Sequence, residues 1–376
     1  MATYLLDRNV CFLNHGSFGA TPSELLNVQA KLRRTLESEP VDFLNRHIEE
    51  RINDARRPVA DFLNADLDGT VFVGNATSGF NAVVQSFPWK EGDQILTTNH
   101  RYDAVRNTLT YVASRHGAEV VEAHVPFPIL GPTEVLDAIE SAITTRTRMM
   151  VIDQITSPTA LIFPVREIID LAKSRGIAIM IDGAHAPGQV DINLHTMGAD
   201  FWVGNLHKWL CAPKGAAVLY VAEQWRETIH PTVISHGFGQ GLAAEFGWCG
   251  THDPTAWLCA PDAITLHQEQ GGSLFRAAHH TLVQNGRAVI ADALNVELPH
   301  PDDSRMYGSM ASIPLPCSVD IVPKLFKSVR SEDQIEVPII VWDDRAWVRI
   351  SGFAGYNTAE QYERLAHALQ ARLIGA

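Results

Sequence analysis

From residue 71 to residue 203 short apolar runs alternate with longer amphipathic stretches. Val71-Phe72-Val73 precedes a helical pattern at about 77–86, and Ile95-Leu96-Thr97 precedes one at about 102–115. Glu119 to Val125 and Met149 to Ile152 continue the alternation. Ala178-Ile179-Met180-Ile181 and Asp200-Phe201-Trp202-Val203 extend it. Runs this apolar, alternating with helices, predict an α/β fold whose mostly parallel sheet is covered on both faces. Ligands of such sheets bind in the crevice outside the carboxyl ends of the strands. The residues that end each run are therefore the first candidates for a site.

Two of those ends carry chemistry. Asp182 ends one run in Ile181-Asp182-Gly183-Ala184-His185, and Lys208 follows 26 residues later in Gly204-Asn205-Leu206-His207-Lys208-Trp209. A lysine amine that condenses with an aldehyde, and a buried carboxylate that keeps a pyridine nitrogen protonated, are what pyridoxal phosphate requires. A third strand end, Gly74-Asn75-Ala76-Thr77-Ser78-Gly79, opens a helix. Its small residues let backbone N–H groups approach a phosphate, and the helix start attracts negative charge. Each element has an ordinary structural reading: Asp182 as a helix cap, His185 and His207 as packed rings, Lys208 as a surface lysine. Three strand-end elements in this order favour the cofactor reading.

Composition narrows the remaining classes. With 43 acidic and 30 basic residues the formal charge is −13, and no basic stripe suits nucleic acid. No apolar run reaches the roughly 18 residues of a membrane span, and Met1 to Val10 lacks the order of a signal peptide. Five scattered cysteines (Cys11, Cys211, Cys249, Cys259, Cys317) form no paired spacing. They predict neither a disulfide framework nor a metal site, and they point to a reducing, cytoplasmic setting. The sixteen histidines, His279-His280 included, also lack ligand spacing. The chain divides into an N-terminal arm (1–20) packing near the active site, a large domain (21–265) and a smaller α+β domain (266–376). Thr21 and Pro22 are expected to start a helix reaching Glu37, and 222–262 reads as connection and loop.

On the strings Asp182-Gly183-Ala184-His185, Asn205-Leu206-His207-Lys208-Trp209 and Phe12-Leu13-Asn14-His15-Gly16-Ser17-Phe18-Gly19, the chain resembles the class V aminotransferase group of fold-type I pyridoxal phosphate enzymes. The isopenicillin N epimerase-like and cysteine lyase-like branch fits best. The resemblance runs nearly end to end, to Val348-Arg349-Ile350-Ser351. It implies Lys208 as the Schiff-base lysine, Asp182 as partner of the pyridine nitrogen and His185 near the phenolic oxygen. It implies Tyr102 stacked on the ring, with Ala76, Thr77, Ser78, Asn205 and His207 around the phosphate. Thr251 matches a phosphate contact given by a neighbouring subunit, which implies a homodimer with shared sites. Arg349 matches the arginine that grips the substrate carboxylate; Asn14, His15 and Gln154 are expected to line the substrate side. Many relatives carry histidine where this chain has Gln154.

The expected reaction is β-elimination on a cysteine-like amino acid. Alternatives are epimerisation, transamination, cysteine desulfuration, or a catalytically silent sensor or assembly partner of the same fold. Desulfuration needs a mobile nucleophilic cysteine. Cys317 reads as the end of a core strand, and Cys211 lies in a segment expected to turn away from Lys208.

Overall fold

The computed structural model describes residues 2–373. Strand β1 (Cys11–Phe12) belongs to the N-terminal arm. Seven strands then build the main sheet: β2 (Thr70–Val73), β3 (Gln94–Thr98), β4 (Glu119–Ala123), β5 (Thr147–Asp153), β6 (Ala178–Asp182), β7 (Phe201–Asn205) and β8 (Ala217–Val221). Their spatial order is β2-β8-β7-β6-β5-β3-β4, and β8 alone runs against the other six.

Alternation along the strands explains why both faces need cover. In β6, Ile179 and Ile181 enter one apolar cluster while Ala178 and Met180 enter a second on the opposite face. Met150 and Ile152 of β5 divide from Met149 and Val151 in the same way. Neighbouring residues thus point to opposite cores, so the strand reads as one unbroken apolar run. The covering helices carry the matching pattern: Val165–Ser174 buries Ile168, Ile169 and Ala172, and Asp103–His116 buries Val105, Leu109 and Val112. The latter ends on Gly117 with φ 65°, a left-handed turn that glycine adopts without strain.

The smaller unit is an antiparallel sheet of β9 (Met310–Pro314), β11 (Ile339–Trp342) and β12 (Arg345–Ser351), in the order β11-β12-β9. Helices Ser273–Leu294 and Ala359–Leu373 pack on each other, and the first also lies on β9. The remaining strand, β10 (Ile335–Glu336), pairs in parallel with β1, which ties the arm to this smaller unit. The boundary expected at 265/266 falls inside helix Ala260–Glu269, which packs on Ile48–Phe62 of the large unit. The packing partner changes after it, at Gly271-Gly272.

Three local expectations shift. The first long helix is Ser23–Ser38, with Pro22 at the cap position; Thr21 does not cap it because its hydroxyl donates to the Ala212 carbonyl at 3.2 Å. The segment 222–262 is not merely connection: it holds short helices at Leu242–Gly247 and Thr255–Leu258 and a turn of 3₁₀ helix at Glu223–Trp225. Cys317 stands three residues beyond the end of β9, in a bend. Among the described residues no helix is long and apolar enough to cross a membrane, and no cluster of side chains could hold a metal ion.

Candidate active site

The carboxyl ends of β2, β5, β6 and β7 meet the start of β8 along one edge of the sheet. A cavity of about 550 Å³ opens there, lined by Gly74, Ala76, Thr77, Tyr102, Asp153, Asp182, His185, Asn205, His207, Lys208, Lys214 and Arg349 among others. The strand ends thus converge as an open α/β sheet demands.

Lys208 sits in the turn after β7, its amine 3.1 Å from His185 Nε2. Burial pushes its pKa down to about 7, and the Arg349 charge adds to that while Asp182 opposes it. The amine is then substantially neutral, and so nucleophilic, near neutral pH. His185 is itself held neutral by burial and by the charges of Lys208 and Arg349. With Nε2 facing the lysine, its Nδ1 is buried without a partner among the described residues. The turn is braced from behind. His15 Nε2 donates to the Lys208 carbonyl at 3.0 Å, and Tyr356 donates to His15 Nδ1 at 2.6 Å. Gly19, at φ 69°, lies so close to the Lys208 backbone that a side chain would strike its carbonyl. Gly183 lies flat on Trp202, where a Cβ would overlap the ring, and this fixes the turn that follows Asp182.

Asp182 accepts the Ala184 amide at 2.9 Å. Its register partner across β5 and β6 is Asp153, a second buried carboxyl that sequence reasoning missed. Burial raises both pKa values. Asp153 is pushed well above the usual range, by burial first and then by the Asp182 charge. Two carboxylates side by side in a dry site cannot both ionise cheaply. The amide and the lysine favour charge on Asp182, so Asp153 is the one that keeps its proton.

At the far end of the cavity, helix Ala76–Ser86 presents its N-terminus. Asn75 caps it through the Ser78 amide at 2.8 Å, and Asn205 accepts the Ala76 amide at 2.8 Å, locking helix start to strand end. Thr77 lines the cavity; Ser78 is exposed and its hydroxyl turns to Asn75. His207 donates through Nδ1 to the Ala216 carbonyl at 2.9 Å, and burial pushes its pKa down to about 4. At the opposite wall Arg349, on β12, is buried. It donates to the Ser157 carbonyl at 2.5 Å and to the hydroxyls of Ser157 and Ser17 at 3.1 Å each. Tyr102, 48% exposed, stands at the start of helix Asp103–His116 on the cavity wall.

Besides Ser78, three expected contacts lie elsewhere. Gln154 does not face the cavity: it accepts the Trp202 indole at 2.9 Å, and its neighbour Asp153 faces inward instead. His15 is wholly buried behind Lys208. Asn14 reaches Glu336 at 3.2 Å and accepts the Ser17 hydroxyl at 2.5 Å, so it supports the wall without lining it. Thr251 is exposed and away from this chain's own cavity. Cys211 is buried behind His15, its sulfur 3.8 Å from Nε2, and none of the five cysteines lines the cavity.

The residues fit pyridoxal phosphate. A helix N-terminus with an open glycine before it suits a phosphate, a carboxyl lies on the sheet edge, and an amine with a depressed pKa lies between them. An unpartnered histidine nitrogen waits in the same wall.

Comparison with known proteins agrees. Residues 31–365 match the family model described as Aminotransferase class-V. The chain is 32% identical over 383 residues to isopenicillin N epimerase of Streptomyces clavuligerus, covering 98% of this chain and 96% of that protein. It is 31% identical over 403 residues to a putative L-cysteine desulfhydrase of Oryza sativa subsp. japonica, covering 96% and 83%. The cystine C-S lyase C-DES, solved with its reaction product cysteine persulfide, superposes with a TM-score of 0.80. It is 22% identical and covers 96% of this chain and 98% of that one, a likeness of fold.

Proposed function

The chain belongs to the class V aminotransferase family of pyridoxal phosphate enzymes, and from that premise we propose that it is a C–S lyase acting on a cysteine-type amino acid. When bound, the cofactor supplies an electron sink that stabilises charge at the substrate's Cα. Lys208 would hold the cofactor's aldehyde, and its amine, when free, would take the substrate's Cα proton. Asp182 keeps the pyridine nitrogen protonated, and Arg349 receives the α-carboxylate as a planar two-pronged donor.

One observation carries the elimination reading: the cavity wall sets one base, the Lys208 amine, beside His185, and holds no cysteine. Elimination needs only that one base. Lys208 removes the Cα proton and can return it to the departing sulfur as the Cβ–S bond breaks. Water then releases pyruvate and ammonia. Desulfuration needs a cysteine in reach of the substrate sulfur, and the cavity offers none. Epimerisation needs a second proton donor on the opposite face of Cα.

A homodimer completes this reading. Val233, Ile234 and Phe238 expose 54–58% of their surface on the segment leading to Thr251, an apolar face suited to a second copy. The partner subunit's Thr251 then reaches the phosphate end of the cavity. Five free thiols suit a cytoplasmic setting.

The test is proton NMR of the holoenzyme with L-cysteine in heavy water. The reading predicts pyruvate appearing as cysteine disappears. Exchange of the Cα proton in cysteine that otherwise stays intact would replace elimination with epimerisation.

A further inference from the structure

The phosphate end of the cavity is rich in donors and poor in charge. The Thr77 amide and hydroxyl and the Asn205 side chain are neutral, and the Ala76 amide is already given to Asn205. His207 is also neutral, being buried with Nδ1 committed to the Ala216 carbonyl. A phosphate monoester at neutral pH carries nearly two negative charges. Three basic side chains line the cavity: Lys208, Lys214 and Arg349. Lys208 would be taken up by the aldehyde, and Arg349 is pinned at the other wall by Ser157 and Ser17.

Lys214 remains, and it lines the cavity on the side of His207. Asn205 of β7 faces Ala217 of β8, and the amides of Leu206 and His207 both reach the Ala216 carbonyl at 3.1 Å. The ladder ends there, and Gly215 and Lys214, next along the chain, line the cavity with the Lys214 charge close enough to act on the His207 ring. Its ammonium donates to the Thr21 hydroxyl at 3.1 Å, a neutral tether, and no acidic side chain among the described residues pairs with it. We propose that Lys214 supplies the positive charge that holds the phosphate dianion of the cofactor. The proposal rests on the cofactor assignment and is independent of which substrate bond breaks.

Pyridoxal separates the two ideas, because it keeps the aldehyde that bonds Lys208 and lacks the phosphate. Dissociation constants of pyridoxal phosphate and of pyridoxal are measured by absorbance on cofactor-stripped wild type, Lys214→Met and Lys214→Arg. Circular dichroism checks that each is folded. Lys214→Met should bind pyridoxal phosphate roughly tenfold more weakly, as expected for one exposed charge-assisted contact. Its affinity for pyridoxal should be unchanged, and Lys214→Arg should recover most of the loss. The wild-type advantage should also shrink at high salt. Equal losses for both ligands, or no loss for either, would overturn the proposal. Failure of wild type to bind pyridoxal would instead strike the Lys208 assignment.

Discussion

The two walls of the cavity are made differently. The wall proposed for the cofactor is assembled from the ends of strands in one sheet, and its partners are sheet neighbours: Asn205 on the Ala76 amide, His207 on Ala216, Asp182 beside Asp153. The wall proposed for the substrate carboxylate is assembled from distant chain segments. Arg349 of the smaller unit is fixed by Ser17 of the arm and by Ser157 after β5. The first wall inherits its geometry from backbone pairing, whereas the second depends on two units and an arm meeting correctly. Cofactor binding should therefore be robust to changes that substrate binding does not survive.

The sharpest break of that contrast is at Lys208. Lys208→Ala should lose turnover by on the order of a thousandfold or more and lose the yellow colour of the covalently held cofactor. Arg349→Ala comes next. Losing a buried guanidinium that meets a carboxylate should raise KM on the order of a hundredfold, while the affinity for pyridoxal phosphate stays as in wild type. A matching loss of cofactor affinity would erase the distinction between the walls. Ser17→Ala removes one of the contacts that hold Arg349, and steady-state kinetics should show KM raised several-fold with kcat little changed.

Titration gives two finer tests. The Lys208 amine has its pKa pushed down to about 7, so the rate at which cofactor-free enzyme captures pyridoxal phosphate should rise with pH to a plateau just above neutrality. A rate still climbing steeply above pH 9 would contradict its burial. Asp153 shows the smallest effect. Its folded pKa is raised, so its protonated form stabilises the fold. That stabilisation is complete below the ordinary carboxylate range and is lost as pH rises through the raised pKa. Asp153→Asn should accordingly melt higher than wild type at pH 7 in the cofactor-free state. The difference should close as the pH falls towards 4.

Legibility in the sequence follows the same division. Asp182, Lys208 and the Gly74–Thr77 turn could be found because each ends an apolar run, and strand ends of a parallel sheet share one edge. The seven-stranded sheet was readable for six strands. Strand β8 was not, because Ala217–Val221 follows the active-site turn directly and runs backwards without a helix before it. The expectation for Gln154, drawn from the resemblance, differs from the structure by one residue: Asp153 lines the cavity instead. Adjacent strand residues face opposite sides, and nothing in the sequence states which side is the cavity. Asn14 and His15 failed for a longer-range reason: their partners, Glu336 and Tyr356, lie more than 300 residues away and turn both side chains from the cavity.

The central claim, that the strand-edge wall makes this a pyridoxal phosphate enzyme through Lys208, has one direct measurement. The holoenzyme is reduced with borohydride, digested, and its pyridoxyl-lysine located by mass spectrometry. The account predicts the label on Lys208 alone. A label on Lys214 or on any other lysine, with Lys208 unmodified, would contradict it.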